Sequence, residues 1–499
     1  METSTMNEID RISSLPVDIL HNILSNLCIF DVIHMSVLSK RWKCICTIIP
    51  YFRFDTSYCT SLLYSNLEKF KEFMYTFLIS QNTINLVRYT LSCSDMLEST
   101  YMLRLIHATT RRNVQQLVLL FWHREPFVLP HCLVTCESLQ VLKLNLCDDV
   151  LKLPNHFDGF RQLKFLHLCS VKLSDEHLTN CLFSKCQLLE NLELIDCNLK
   201  RMKLLYIDSA SLLYITFLHG DYYDNCEIKI SCPALKFLKC KCQIPKDIVI
   251  KNLFSIEYVD INFQDNDVKC DDFGFSFEKT GILVHKMIKE VPSISVLKLC
   301  KVSLKGLYEE IRQARLSPIC FNKLKSLKLK LGVDEDHMQV MIQLLKYSPN
   351  LEVLKLWCDE DGEWRENSLM YYEWCDFWPA REDQGRGHEV FHPTPLGKKL
   401  HCTYKMHDPE ESIVCLDSHL KSIQLIGFKD EENEIELLRF FLKNARVLEK
   451  LTIVWAGYAL KSEEALKKVL NIPRTSSQVL LTFHDAKLKR KSTNWLDYC

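Results

Sequence analysis

The chain has 499 residues, enough for roughly two to four folding units or for one long array of repeats. Apolar residues make up 47% and charged residues 25%, a balance typical of folded proteins. Lys and Arg together number 62 and Asp and Glu 63, so the net charge is −1. This balance disfavours a general nucleic-acid binder, because such proteins usually carry a clear basic excess.

No targeting or membrane segment is predicted. The first ten residues are polar and lack the cationic and apolar regions of a signal peptide. The chain has no apolar run of the roughly 18 residues that a membrane-spanning helix requires. The 24 cysteines are therefore expected to be thiols in a reducing compartment, which places the protein in the cytoplasm, the nucleus or both.

Three short helices are predicted between residues 10 and 50. The first begins at Leu15-Pro16, since Pro is tolerated in a first turn; Asp31 is predicted to cap the second helix, and Ser39 the third. Apolar residues recur at helical spacing along the first helix, at Ile19, Leu20, Ile23, Leu24 and Leu27. So small a unit is marginal alone, so its apolar face should dock either on the rest of this chain or on a partner.

The order of residues in this segment resembles the plant F-box. Residues 12–20 read ISSLPVDIL and residues 37–42 read VLSKRW, and the resemblance covers residues 8–52. It implies a surface for a Skp-type adaptor, which bridges to a cullin. The positions that match this adaptor surface are Leu15, Pro16, Ile19, Leu20, Ile23, Leu24, Leu27, Val37, Leu38, Ser39, Arg41 and Trp42. Some of them must instead hold the three helices together, and the sequence does not separate the two groups.

An LxxLxL pattern recurs through most of the remaining chain. Its central apolar residues are Leu117, Leu142, Leu166, Leu192, Ile215, Leu238, Val259, Leu297, Leu327, Leu354, Ile423 and Leu451. The first seven are spaced by roughly 21–26 residues, a period typical of leucine-rich repeats, in which each repeat supplies one short strand to a shared core. We predict repeats over 111–356, a helical linker or cap over 53–110, and an irregular insertion over 357–412.

Strand alternation predicts which side chains point away from the core. The residues on either side of each central apolar residue should face outward, and Asp260 is one of them. The outward candidates for substrate binding are Phe165, His167, Tyr214, Phe237, Lys239, Tyr258, Lys298, Lys328 and Lys355. Two interpretations stay open: a solvated face whose aromatics satisfy β-propensity, or a substrate groove with aromatic anchors and a lysine-rich end that attracts acidic groups.

The insertion offers potential zinc ligands but no zinc-binding pattern. The residues concerned are His388, His392, His401, Cys402, His407 and Cys415. Their spacings match no finger template, so we predict no metal and no cofactor. A mobile insertion is the alternative that the sequence favours.

Regular structure is predicted again over 413–485. We expect a strand at Leu420–Leu425, a helix opened by the acidic run 430–436, a helix at 462–470 and a strand at 478–483. The sequences FLKNARVLEKLTI and IPRTSSQVLLTF resemble the FBD domain found behind F-box and leucine-rich repeats in plants. We interpret this unit as a C-terminal cap. The basic cluster at 487–491 is either a solvated tail, which the sequence favours, or a nuclear signal.

The reactive residue types show no catalytic arrangement. GxSxG, HExxH, CxxC and glycine-rich phosphate motifs are all missing, and the Cys44/Cys46 and Cys240/Cys242 pairs are interpreted as small buried apolar residues. The expected fold is α/β: a three-helix F-box, a leucine-rich-repeat solenoid and an FBD-type cap. The resemblance implies a non-catalytic substrate-recognition subunit of an SCF-type cullin-RING ubiquitin ligase. The alternatives are a non-degradative scaffold or sequestering protein and a small-molecule co-receptor; neither nucleic acid nor membrane is expected as a partner.

Overall fold

The structure is a computed structural model and describes residues 12, 14–55, 67–80, 85–122, 125–219, 225–263, 277–314, 319–332, 334–358, 412–456 and 463–485. The helices of these residues are α1 Val17–Leu24, α2 Ile29–Met35, α3 Lys40–Thr47, α4 Leu67–Ser80, α5 Ser99–Thr110, α6 His131–Val134, α7 Glu176–Ser184, α8 Phe277–Lys289, α9 Lys301–Arg312, α10 Glu335–Lys346, α11 Val414–Ser418, α12 Glu432–Asn444 and α13 Glu463–Leu470. Among them, none combines the length and apolar character that a membrane crossing needs.

The strands of the described residues are β1 Tyr51–Asp55, β2 Arg88–Met96, β3 Gln116–Trp122, β4 Phe127–Val128, β5 Val141–Lys152, β6 Phe165–Lys172, β7 Asn191–Ile195, β8 Leu204–Asp208, β9 Tyr214–Leu218, β10 Glu227–Ser231, β11 Phe237–Lys241, β12 Asp247–Lys251, β13 Tyr258–Ile261, β14 Val296–Leu299, β15 Ser326–Lys330, β16 Val353–Trp357, β17 Ser422–Phe428, β18 Lys450–Trp455 and β19 Leu480–His484. The chain divides into two compact units, which we call unit 1 (Met1–Leu235 with Pro245–Phe254) and unit 2 (Lys236–Ile244 with Ser255–Cys499).

Unit 1 begins with the three predicted helices, α1 to α3. The Ser39 hydroxyl accepts the backbone N–H of Trp42 at 3.2 Å, which confirms Ser39 as the cap of α3. The prediction that Asp31 caps α2 is wrong: α2 begins at Ile29, and Asp31 lies inside its first turn, where its charge favours the helix dipole. The Arg41 guanidinium donates to the Leu15 carbonyl at 2.7 Å and so ties the start of α1 to α3.

An aromatic cluster joins the three helices to the sheet of unit 1. The Phe30 ring on α2 stacks on Phe73 of α4, with centroids 5.1 Å apart, and Phe54 of β1 lies 5.6 Å from Tyr89 of β2. The region 53–110, predicted as a helical linker or cap, contains helices α4 and α5 but also strand structure. Strand β2 lies within it, and β1 begins just before it and runs into it. The search for leucine missed both because their core positions hold aromatic residues, Phe52 and Tyr89.

The parallel sheet of unit 1 follows the predicted repeats. Its strand order is β1-β2-β3-β5-β6-β7-β9, with β4 beside β5. The predicted central residues are register partners on neighbouring strands, in the order Leu117, Leu142, Leu166, Leu192 and Ile215. All of them are buried, so these strands share one core, which confirms the repeat prediction.

A second parallel sheet in unit 1 was not predicted. It consists of β8, β10 and β12, with β10 in the middle. Leu205, Ile228 and Ile248 lie side by side in it and are buried. These strands alternate apolar and polar residues at a period of two, a pattern that a search for leucine alone does not detect.

The strands of unit 2 pair in parallel, in the order β11-β13-β14-β15-β16-β17-β18-β19. The predicted central residues again align, in the order Leu238, Val259, Leu297, Leu327, Leu354, Ile423 and Leu451. Helix α12 begins within the predicted acidic run, α13 lies within about one residue of its predicted limits, and β19 begins two residues later than predicted. The α/β fold class is thus confirmed in both units.

Helix α12 begins at a buried carboxylate. One oxygen of Glu434, Oε2, accepts the backbone N–H groups of Lys429 at 2.8 Å and Glu431 at 3.1 Å. Burial raises the pKa of Glu434 from 4.5 to about 7, although the two N–H donors oppose the shift. Because the folded-state pKa lies above the ordinary value, folding takes up a proton between these pH values. The stability that Glu434 contributes is therefore fully present below its ordinary pKa and is lost as the pH rises through the folded-state value.

Gln at position 434 keeps an oxygen for both donors and carries no charge. We expect E434Q to exceed the wild type in free energy of unfolding by about 2 kcal/mol at about pH 8, and the difference to vanish near pH 4.5. Urea unfolding of the full chain at both pH values measures this. E434A should be less stable at both, because it removes the acceptor, and E432Q serves as an exposed control. An unchanged pH dependence in E434Q would contradict the assignment.

Candidate functional site

Helix α1 is apolar on two faces. Leu20 and Leu24 are buried, but Ile19 is 45% exposed and Ile23 is 42% exposed. Ile19 and Ile23 are separated by one helical turn, so they lie on one face. A helix that has already buried one apolar stripe normally presents polar residues on the solvent-facing surface beside it. Helix α1 presents isoleucine there instead.

The segment between α2 and α3 extends this apolar surface. Val37 is 84% exposed and Leu38 is 68% exposed. The hydrogen bond from Arg41 to Leu15 holds this segment close to the start of α1, where Pro16 is also exposed. We call Pro16, Ile19, Ile23, Val37 and Leu38 the apolar F-box face. Ile12 and Val17, which lie near this face in the sequence, are also exposed. Neither was predicted as an adaptor position.

The structure separates the twelve predicted adaptor positions into groups. Leu20, Leu24 and Trp42 are buried and hold the three helices together, and Leu15 and Leu27 are half-buried. Ser39 caps α3, while Arg41 binds the Leu15 carbonyl. The remaining five form the apolar F-box face. Adaptor binding by these residues stays a prediction.

On unit 1, the residues predicted to point outward differ in their exposure to solvent. Tyr214 is exposed and Phe165 is half-exposed beneath the Lys143 ammonium, which lies 4.9 Å from the ring centroid. His167 is buried, so the prediction that it is accessible is wrong. In the strand register His167 lies beside Glu193, and its Nδ1 is 2.7 Å from the Glu193 carboxylate. This pair and the parallel ring of Phe165 cover the imidazole.

On unit 2, aromatic and basic residues share the outward face. The Phe237 and Tyr258 rings stack with centroids 4.5 Å apart and an interplanar angle of 12°. The Lys328 ammonium lies 5.0 Å from the Tyr258 centroid, at cation–π distance. Asp260, which was expected to be outward and accessible, is buried, because the Lys298 ammonium pairs with it at 3.4 Å. The predicted Lys239 and Lys355 are half-exposed on the same face.

The cysteines of the described residues are free thiols. Cys240 and Cys242 are buried as predicted, and burial raises the pKa of Cys242 to about 12, so it stays protonated. The prediction is wrong for Cys44, which is exposed, while Cys46 is buried and donates to the Val32 carbonyl. Cys197 is buried and donates to the Leu168 carbonyl at 3.4 Å.

Of the six potential zinc ligands, Cys415 is the one that lies within the described residues. His388, His392, His401, Cys402 and His407 lie outside the described residues, as do nearly all of the insertion and the basic cluster at 487–491. Cys415 is buried and donates to the Leu345 carbonyl at 3.4 Å. Within the described ranges, no group of three or more His, Cys, Asp or Glu side chains is placed to hold a metal ion.

Comparison with known protein families identifies three regions of the chain. Residues 12–54 match the F-box domain, residues 102–247 match the LRR repeats of FBD-associated F-box protein At5g56370, and residues 408–453 match the FBD domain. Their order is the one predicted from the sequence. These three matches and their order support a plant F-box/FBD/LRR-repeat protein. As an F-box protein it is of the substrate-adaptor type, and its F-box implies binding of a Skp-type adaptor.

Relatives that span almost the whole chain share this organisation. FBD-associated F-box protein At4g13985 of Arabidopsis thaliana is 26% identical over 94% of this chain and 95% of the relative. F-box/FBD/LRR-repeat protein At3g52680 of the same plant is 27% identical over 95% of this chain and 93% of its own. F-box/LRR-repeat protein 13, also from this plant, is 25% identical, over 95% and 97% respectively.

Proposed function

We propose that this F-box protein is the substrate-recognition subunit of an SCF-type cullin-RING E3 ubiquitin ligase. In this proposal the F-box binds a Skp-type adaptor and, through it, a cullin, while the repeats bind a target protein. The protein would act in the cytoplasm, the nucleus or both. It would itself catalyse no reaction.

The apolar F-box face carries the proposal. Ile19, Ile23, Val37 and Leu38 remain exposed although the helices beneath them already have a buried core. Fully burying one such side chain contributes about 1.5–3 kcal/mol, so covering this face with a partner is strongly favoured. Exposed apolar clusters of this kind are typical of protein-binding surfaces.

The proposed contribution to ubiquitination is proximity. A chain that holds the ligase at one end and a target at the other raises the effective concentration of target lysines near the ubiquitin-loaded enzyme. This function needs two binding surfaces and no catalytic group.

Reconstitution with purified components tests the proposal. The full chain should capture a cullin only when a Skp-type adaptor is present. L15A/P16A, at Pro16 of the apolar F-box face and the half-buried Leu15 before it, should weaken this capture by at least about tenfold, since the loss of an interface hot spot costs about 2 kcal/mol or more. K43A/T47A, at two exposed positions of α3, is the matched control.

In cells, proteins captured by the repeats should accumulate when the proteasome is inhibited. Undiminished cullin capture by L15A/P16A would contradict the assigned adaptor surface. Adaptor binding without a cullin, with partners whose turnover ignores the proteasome, would instead indicate a scaffold or sequestering protein.

A further inference from the structure

Three lysines lie side by side on the outward face of the unit 2 sheet. Lys298 of β14 is the register partner of Lys328 of β15, which is in turn the partner of Lys355 of β16. Neighbouring strands are about 4.8 Å apart, so the three side chains leave the sheet in a row. Like charges placed directly opposite each other destabilise a sheet. We call this row the lysine ladder.

The described part of the chain compensates only one end of the ladder. Asp260 of β13 is the register partner of Lys298 and pairs with it at 3.4 Å. In those same residues, neither Lys328 nor Lys355 forms an ion pair with a carboxylate; the Lys328 ammonium lies over the Tyr258 ring instead. On the other side of the ladder the next partner is the neutral Gln424. Among the described residues, the two adjacent positive charges of Lys328 and Lys355 therefore have no carboxylate paired with them.

The setting of the ladder strengthens its attraction for anions. Burial lowers the pKa of Lys328, and the nearby Lys355 and Lys298 lower it further, while Asp260 opposes the shift. An anion bound between these ammonium groups would offset their mutual repulsion and favour the charged form of Lys328. Aromatic rings flank the ladder, with Tyr258 below Lys328 and Trp357 5.8 Å from the Lys298 ammonium.

We propose that the lysine ladder binds a segment of the target protein that carries several neighbouring Asp and Glu residues. This inference rests on the proposed function and deepens it by naming the chemistry of the target. Two strand steps of about 4.8 Å spread the backbone positions of the three lysines over about 10 Å, which suits several separate carboxylates better than one compact phosphate. Tyr258 and Trp357 offer apolar contact to the side chains between these acids.

A peptide-binding measurement on the adaptor complex tests the proposal. The probe is a fluorescein-labelled peptide in which Asp and Glu alternate around one central Trp. The ladder variant is K298Q/K328Q/K355Q, and the control is K289Q/K323Q/K346Q, which removes the same charge from unit 2 at positions on helices or in a turn. We expect fluorescence anisotropy to show binding at least about tenfold weaker for the ladder variant, and about equal for the control and the wild type.

Further measurements distinguish carboxylates from phosphate as the bound anion and control for misfolding. A peptide with Asn and Gln in place of the acids should not bind, and the single variant K355Q repeats the comparison with the smallest disturbance of the sheet. Any of four results would overturn the proposal. The ladder variant could bind as well as the wild type, or the control could lose as much binding as the ladder variant. The wild type could fail to bind the acidic peptide, or it could bind a phosphoserine peptide alone. Adaptor capture is measured on the same samples, so a failure of the F-box assignment is seen separately.

Discussion

Replacing Ile19 and Ile23 with Asp is expected to weaken binding of a Skp-type adaptor by at least about 100-fold while the chain stays folded, since central interface residues cost 2 kcal/mol or more each when lost. Both side chains are more than two-fifths exposed, so an acid at either position stays hydrated in the free protein. In the complex the same acids would lie against an apolar partner and lose that water. Titration of the adaptor, with thermal unfolding as a folding control, measures both effects.

The buried face of the same helix should respond in the opposite way. Leu20 and Leu24 are almost fully buried, so L20A/L24A removes core contacts and should destabilise the F-box by about 2–5 kcal/mol for each residue. K43D/T47D introduces two acids at exposed positions of α3 with the same spacing and controls for charge alone. Full adaptor binding by the I19D/I23D variant would show that the exposed face does not serve as the interface. Unfolding of this variant in the absence of the adaptor would show the same.

Replacing Gly306 with Ala is expected to destabilise unit 2 by about 2–3 kcal/mol, because an added atom in a packed interior has no room. Helices α8 and α9 approach each other most closely where Gly281 meets Gly306. A Cβ on Gly306 would lie 2.6 Å from the Gly281 backbone nitrogen and 2.9 Å from the Phe277 carbonyl oxygen. Both obstacles are backbone atoms, which cannot move aside as a flexible side chain can.

The sign of this effect distinguishes it from ordinary helix propensity. Gly to Ala inside a helix normally stabilises by about 1 kcal/mol, since Ala loses less backbone entropy on folding. Hydrogen exchange of α8 and α9 in G306A, compared with wild type, reports local stability in unit 2. I282A, at the exposed position next to Gly281, should change exchange little. Slower exchange in G306A would mean that the two helices have room to spare.

The sequence by itself determined the repeat architecture. Parallel strands place residues one period apart side by side, so the recurrence of Leu, Ile and Val predicts which of them become register partners. Leu142 and Leu166 are one such pair, and Leu327 and Leu354 are another. The order of F-box, repeats and FBD was also readable, because each carries a local motif. Strands β1 and β2 escaped detection since aromatic residues take the core positions that leucine holds elsewhere.

Only the tertiary structure decided which residues of each pattern are accessible. Period and spacing assign a residue to a face of its own helix or strand, whereas burial depends on what the neighbouring strand contributes. Strand alternation alone predicted that His167 and Asp260 are accessible. The neighbouring Glu193 covers His167, and the neighbouring Lys298 covers Asp260. Likewise, the helical spacing of α1 grouped Ile19 with Leu20, and only the packing of α1 against its neighbours buried Leu20 and left Ile19 at the surface.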